Sequence, residues 1–122
     1  MGYSSLEDFL VGYWEDLFLS RRDPNNLLTM LWTWQNGDIG KTPGFNGDFE
    51  AALKSIKAKS IIMPADTDLY FPPEDNEHEV KFIPNSELRI IKTDYGHFAG
   101  AGVYQPDTDV IDRALKDLLQ GI

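Results

Sequence analysis

The sequence predicts an α/β protein in which two short parallel strands lie among helices, preceded by a helical segment. Three observations carry that expectation. Two brief, largely apolar runs, Ser60-Ile61-Ile62-Met63 and Leu88-Arg89-Ile90-Ile91, have the length of strands and not of helices. Each is flanked by helical patterns instead of a hairpin turn, and strands separated by helices pair in parallel. Their near-continuous apolar character, without alternation, belongs to a sheet covered on both faces. Two strands alone leave two bare edges and support little helical cover, so the strands are expected to join a larger sheet.

The elements follow in order. Ser4-Ser5-Leu6-Glu7 reads as a capping box with Ser4 at the N-cap. Leu6, Phe9, Leu10, Tyr13, Trp14, Leu17 and Phe18 then fall on one helical stripe. Asp23-Pro24 opens a second helix, with Asp as cap and Pro in the first position. It carries Leu27, Leu28, Leu31, Trp32 and Trp34 and stops near Asn36-Gly37. Residues 37–47 hold four glycines and a proline and read as loop. A short helix from about Asp48 precedes the first strand, which Pro64 closes. Pro72-Pro73-Glu74 opens a helix reaching about Phe82, and the second strand follows. The last helix is expected to start at Asp107 or Thr108, with Val110, Ile111, Ala114, Leu115, Leu118 and Leu119 on its stripe. The organisation expected is a helical segment and loop over 1–47, then a βαβα part over 48–122.

Composition excludes several classes. The chain has 122 residues, 42% hydrophobic and 25% charged, the make-up of an ordinary globular domain. There is no cysteine, so disulfides and thiolate chemistry are out. The net charge is −9, with 8 acids against 6 bases in residues 1–60 and 12 against 5 in residues 61–122. Such a surface repels phosphate backbones, so nucleic acid is not an expected partner. No apolar run reaches the roughly 20 residues of a membrane span. The start, Met1-Gly2-Tyr3-Ser4-Ser5, lacks the basic and apolar regions of a secretory leader, and a cytoplasmic location is expected. Glu74-Asp75-Asn76-Glu77-His78-Glu79 reads as a solvated first helical turn and not as a metal site.

The chemistry concentrates at two strand ends. Asp68 follows the first strand and His97 the second, and polar side chains at the carboxyl ends of parallel strands face a ligand crevice. An acid and then a histidine in that order form the back half of a Ser…Asp…His triad. The carboxylate would fix the imidazole tautomer, and the imidazole would take a proton from a serine hydroxyl. Asp66 competes with Asp68 for the acid role. The plain alternative is that Asp68 is a turn former and His97 a structural residue beside glycines. None of the six serines, Ser4, Ser5, Ser20, Ser55, Ser60 and Ser86, lies in a G-x-S-x-G elbow. Tyr13, Trp14, Trp32 and Trp34 read as core or interface residues before a substrate tunnel.

These residues carry a resemblance. Asp66-Thr67-Asp68-Leu69-Tyr70-Phe71-Pro72-Pro73 resembles the Asp-Ser-Asp-x-Leu-Phe-Pro-Pro segment of homoserine O-acetyltransferases. Tyr95-Gly96-His97 is similar to their Tyr-Gly-His loop, and Arg21-Arg22-Asp23-Pro24-Asn25 to the Arg-Phe-Asp-Ala-Asn stretch of their helical lid. The resemblance implies the C-terminal part of an α/β-hydrolase fold, with the end of a lid before it. It matches Asp68 to the triad acid, His97 to the triad base and Arg21 to an arginine of the substrate pocket. It implies no bound cofactor, with acetyl-CoA as acyl donor of the full enzyme. The implied partners are a small-molecule substrate, a missing N-terminal segment or upstream polypeptide bearing the serine, and a second copy through the lid helices. One departure stands out: Phe98 occupies the position of an Asp that holds the substrate amine in the family. Two alternatives follow, an esterase-type fragment of the same fold and a non-catalytic self-associating module. Without its nucleophile the chain is expected to be inert alone.

Overall fold

The computed structural model describes residues 2–121, in two compact units, Met1–Asp38 and Ile39–Ile122. The glycine-rich loop that opens the second unit folds back on itself. Gly47 N donates to Gly40 O at 2.8 Å, and Asp48 N donates to Phe45 O at 2.9 Å. Gly40 is buried by this closure.

In the first unit, helix α1 (Leu6–Phe9) passes into a π-helical stretch, Leu10–Glu15, and then α2 (Asp16–Arg21). The expected cap shifts by one residue. Ser5, not Ser4, is the N-cap, with Asp8 N donating to its Oγ at 3.0 Å, while the Ser4 hydroxyl donates to the Asp8 carboxylate. The widened turn occupies the aromatic stripe, where side chains stack along the helix: Phe9 on Tyr13 at 5.4 Å and Trp14 on Phe18 at 6.0 Å between ring centres. Helix α3 (Pro24–Asn36) starts as its sequence indicates, with Asp23 Oδ1 accepting from Asn25 N at 2.7 Å.

The second unit holds α4 (Phe49–Lys54), β1 (Ser60–Ile62), α5 (Pro73–Glu79), β2 (Ser86–Leu88) and α6 (Gln105–Gln120). Asp48 caps α4 by accepting from Ala51 N at 2.9 Å. The two strands pair in parallel, Ser60 opposite Ser86 and Ile62 opposite Leu88, as their helical separation requires. The second strand sits earlier than the apolar run 88–91, but its ladder continues through an Ala65–Ile91 bridge. Arg89 is drawn out of the apolar pattern by Glu87 and Asp117, to which its guanidinium donates at 2.7 and 2.5 Å. Ala65, Ile91 and Ala99 form the buried centre, with Met63, Val110 and Ile111 packed against it.

Helix α6 begins at Gln105, ahead of the expected Asp107, because Pro106 suits its first turn. Asp107 is not the cap: only 2% exposed, it accepts from the Thr93 hydroxyl at 2.8 Å. The α6 stripe is half covered, Ala114 being buried while Leu119 is 85% exposed. A two-stranded sheet is too narrow to cover a full helical face, and no large side chain is fully buried among the described residues. No helix among them is long and apolar enough to cross a membrane.

Candidate active site

The site is built where β1 and β2 run out. The parallel ladder ends with Asp66 N donating to Ile91 O at 3.0 Å. Past that point both chains leave the sheet on the same side, and their loops meet. A tight turn, Asp68 N to Ala65 O at 3.1 Å, brings the Asp68 carboxylate back toward the sheet. Its Oδ1 accepts from Tyr70 N at 2.8 Å and Phe71 N at 3.3 Å. Its Oδ2 lies 3.0 Å from His97 Nδ1. His97 rides on a short 3-10 turn, Gly96–Ala101.

The geometry places the two side chains unequally. The Asp68 side chain is 9% exposed and that of His97 48%. Burial opposes ionisation of Asp68, but the Tyr70 N–H, the His97 ring and the Phe71 N–H outweigh it and hold the carboxyl below its usual range. A carboxylate in this position accepts from Nδ1–H and leaves Nε2 as the basic nitrogen. Nε2 has no hydrogen-bond partner among the described residues. Tyr70 and Phe71 pack on the imidazole at 4.9 and 5.5 Å between ring centres. A depression of about 470 Å³ opens beside the pair, lined by Ile61, Met63, Pro64 and Phe71 among others.

Of the competing acids, Asp66 faces elsewhere. Its Oδ1 accepts from Thr93 N at 3.0 Å, and Lys92 Nζ lies 3.3 Å from Oδ2. The Thr93 N–H is the main cause holding its carboxyl below the ordinary value, aided by Lys92 against burial. Arg21 is the last residue of α2, in the first unit, and is exposed. Phe98, beside His97, is 41% exposed. Sequence reasoning did not single out the aromatic pair on the imidazole, nor the hydroxyls of Thr67 and Thr93 that lace the two loops together. The only available signal was their position, one residue before Asp68 and four before His97.

No family model matches the chain. The chain is 40% identical over 120 residues to a probable esterase of Corynebacterium glutamicum, covering 98% of this chain and 34% of that protein. It is 40% identical over 119 residues to an ethyl acetate hydrolase of Pseudomonas veronii, covering 98% and 33%. Among solved structures, the monoclinic structure of the acetyl esterase MekB superposes with a TM-score of 0.87 at 39% identity, over 98% of this chain and 34% of the other. Homoserine O-acetyltransferases match more weakly, one from Trichormus variabilis at 27% over 81 residues. The fold of this stretch is that of the corresponding part of α/β-hydrolase ester hydrolases. The esterase alternative is therefore the better supported one, and the acetyltransferase resemblance is the more distant likeness. The chain spans about a third of the length of the curated relatives it matches.

Proposed function

We propose that this chain provides the acid and base of a serine-type carboxylic-ester hydrolase, with Asp68 as the acid and His97 as the base. The nucleophilic serine and the oxyanion donors come from sequence outside these 122 residues. The observation that carries this reading is the 3.0 Å approach of Asp68 Oδ2 to His97 Nδ1 at neighbouring parallel strand ends. Similarity to proteins named as acetyl and ethyl acetate hydrolases supports the ester class.

In this reading the serine hydroxyl attacks the ester carbonyl carbon while His97 Nε2 takes its proton. Asp68 holds the Nδ1–H and stabilises the imidazolium that forms. The imidazolium returns the proton to the departing alcohol oxygen as the carbon–oxygen bond breaks. Water, deprotonated by the same nitrogen, then releases the acyl group as a carboxylic acid and restores the serine. The acyl donor is the ester itself in place of acetyl-CoA. Tyr70, Phe71 and Phe98 near the base favour small uncharged substrates, and a phenylalanine offers an ammonium group no counter-charge. Arg21 is retained as a substrate contact, to be read from a rise in KM on Arg21→Ala.

The test is hydrolysis of ethyl acetate and p-nitrophenyl acetate. The purified chain should be inert. Mixing or fusing it with the part of the Pseudomonas veronii hydrolase that it does not match should restore turnover, and His97→Ala should abolish it. Serine-type turnover by the chain alone, or restored turnover indifferent to His97→Ala, would overturn the reading.

A further inference from the structure

Thr67 and Gly96 each stand one residue ahead of the proposed acid and base, and they are bonded to each other. Gly96 N donates to Thr67 Oγ1 at 3.1 Å, and the same hydroxyl donates to Thr93 O at 2.8 Å. The loops also touch through their backbones. Gly96 has φ +50, where a side chain is strained, and a Cβ there would sit 3.0 Å from Thr67 O, so the Thr67 backbone would have to yield by a fraction of an ångström. Thr93 is in turn held on its other polar groups. Its N–H goes to Asp66, and its hydroxyl donates to the buried Asp107 while accepting from Tyr95 N at 3.2 Å.

We propose that Thr67 is a positioning residue, whose hydroxyl clamps the Gly96 end of the histidine loop onto the Asp68 loop and so sets the imidazole against the carboxylate. The inference rests on the assignment of Asp68 and His97 as acid and base. Its physical logic is a fixed spacing. Each member of the pair is one Cα–Cα step from a clamped residue, so little backbone freedom remains between the clamp and the 3.0 Å contact. Tyr70 and Phe71 of the Asp68 loop also pack on the imidazole, but ring contacts leave its rotation free, while the Thr93 N–H bond to Asp66 anchors the histidine loop three residues earlier than Gly96. Thr67 touches neither reacting atoms nor substrate in this scheme.

The test uses the 122-residue chain and needs no catalysis. Imidazole nitrogen shifts measured by NMR separate the Nδ1–H from the Nε2–H tautomer, and His78 serves as an internal reference. Wild-type His97 should favour Nδ1–H, and Asp68→Asn should remove that bias. Thr67→Val should lower the Nδ1–H share about threefold to tenfold, the worth of one or two hydroxyl bonds. Thr67→Ser should restore it, and Gly96→Ala should mimic the valine variant. If wild-type His97 has no bias dependent on Asp68, both the acid–base assignment and the clamp fail. If the bias exists but Thr67→Val changes it by less than about twofold, only the clamp fails. Failure of serine to rescue, or collapse of amide dispersion throughout the chain in the valine variant, makes Thr67 a general packing residue and overturns the proposal as well.

Discussion

Replacing Asp68 by alanine should loosen the second unit by about 2–3 kcal/mol. The carboxylate accepts from Tyr70 N at 2.8 Å, Phe71 N at 3.3 Å and His97 Nδ1 at 3.0 Å, and the residue is 8% exposed. The two turn N–H bonds resemble an N-cap, worth about 1 kcal/mol together. A hydrogen bond to a buried charge adds about 1.5–3 kcal/mol, taken at the low end here because the His97 side is half exposed to solvent. Trp14, Trp32 and Trp34 all lie in the first unit, so tryptophan fluorescence is the wrong probe. Amide exchange at Arg89 and Ile91, whose N–H groups bond Ile62 O and Pro64 O at 2.9 Å, reads the sheet directly. A loss of about 2 kcal/mol accelerates that exchange about thirtyfold. The folded carboxyl ionises at lower pH than the unfolded one, whose ordinary value is 3.8. Stability from its charged form is therefore fully present above about pH 5 and lost as pH falls through the folded value. The gap between wild type and Asp68→Ala should be level from neutrality down to that point and shrink below it. Exchange rates within about threefold of wild type near neutrality, or a gap that widens in acid, would refute the reasoning.

In a reconstituted ester hydrolase, Asp68→Asn should lower kcat by about a thousandfold to ten-thousandfold, since the amide no longer selects the productive tautomer; a drop under about tenfold in initial rates would remove Asp68 from the machinery. Arg89→Leu should cost about 1 kcal/mol and that cost should fade at high salt, because the Glu87 and Asp117 side chains are 55% and 38% exposed and their ion pairs are open to screening; urea titrations at two ionic strengths decide it. Asp107→Ala should cost about 1–2 kcal/mol by stripping the Thr93 hydroxyl of its buried acceptor, read from the same amide exchange, while Asp107→Asn should cost less. Leu28, Leu31 and Trp32 expose one face of α3, and if that face drives self-association, light scattering should find a dimer that Trp32→Ser dissociates; a monomeric wild type sinks that reading.

Much of the element pattern was legible because it rests on local chemistry. Asp23-Pro24 and Asp48 announce helices through side chains that reach their own backbone two or three residues on, and both do so here. Periodicity placed the aromatic stripe of the first helix but not its π-helical turn, which no residue type encodes. The apolar run 88–91 marked the later part of the second strand's ladder, which bridges as far as Ile91, and missed its start at Ser86 and Glu87, whose polar side chains hide a strand from an apolar pattern. Asp107 looked like a cap because its partner, Thr93, is distant in sequence.

The order of acid and histidine after two apolar runs, the lack of any serine elbow and the shortage of strands were properties of the sequence by itself. Each depends on residue identity and spacing alone. Which acid meets the imidazole was a tertiary decision. Asp66 and Asp68 differ by two positions on one turn, and only the folding of that turn against the histidine loop sends one carboxylate to Thr93 and the other to His97. Hydrogen bonds act over about 3 Å, so a choice between neighbours in sequence is made by what the second loop brings within that reach.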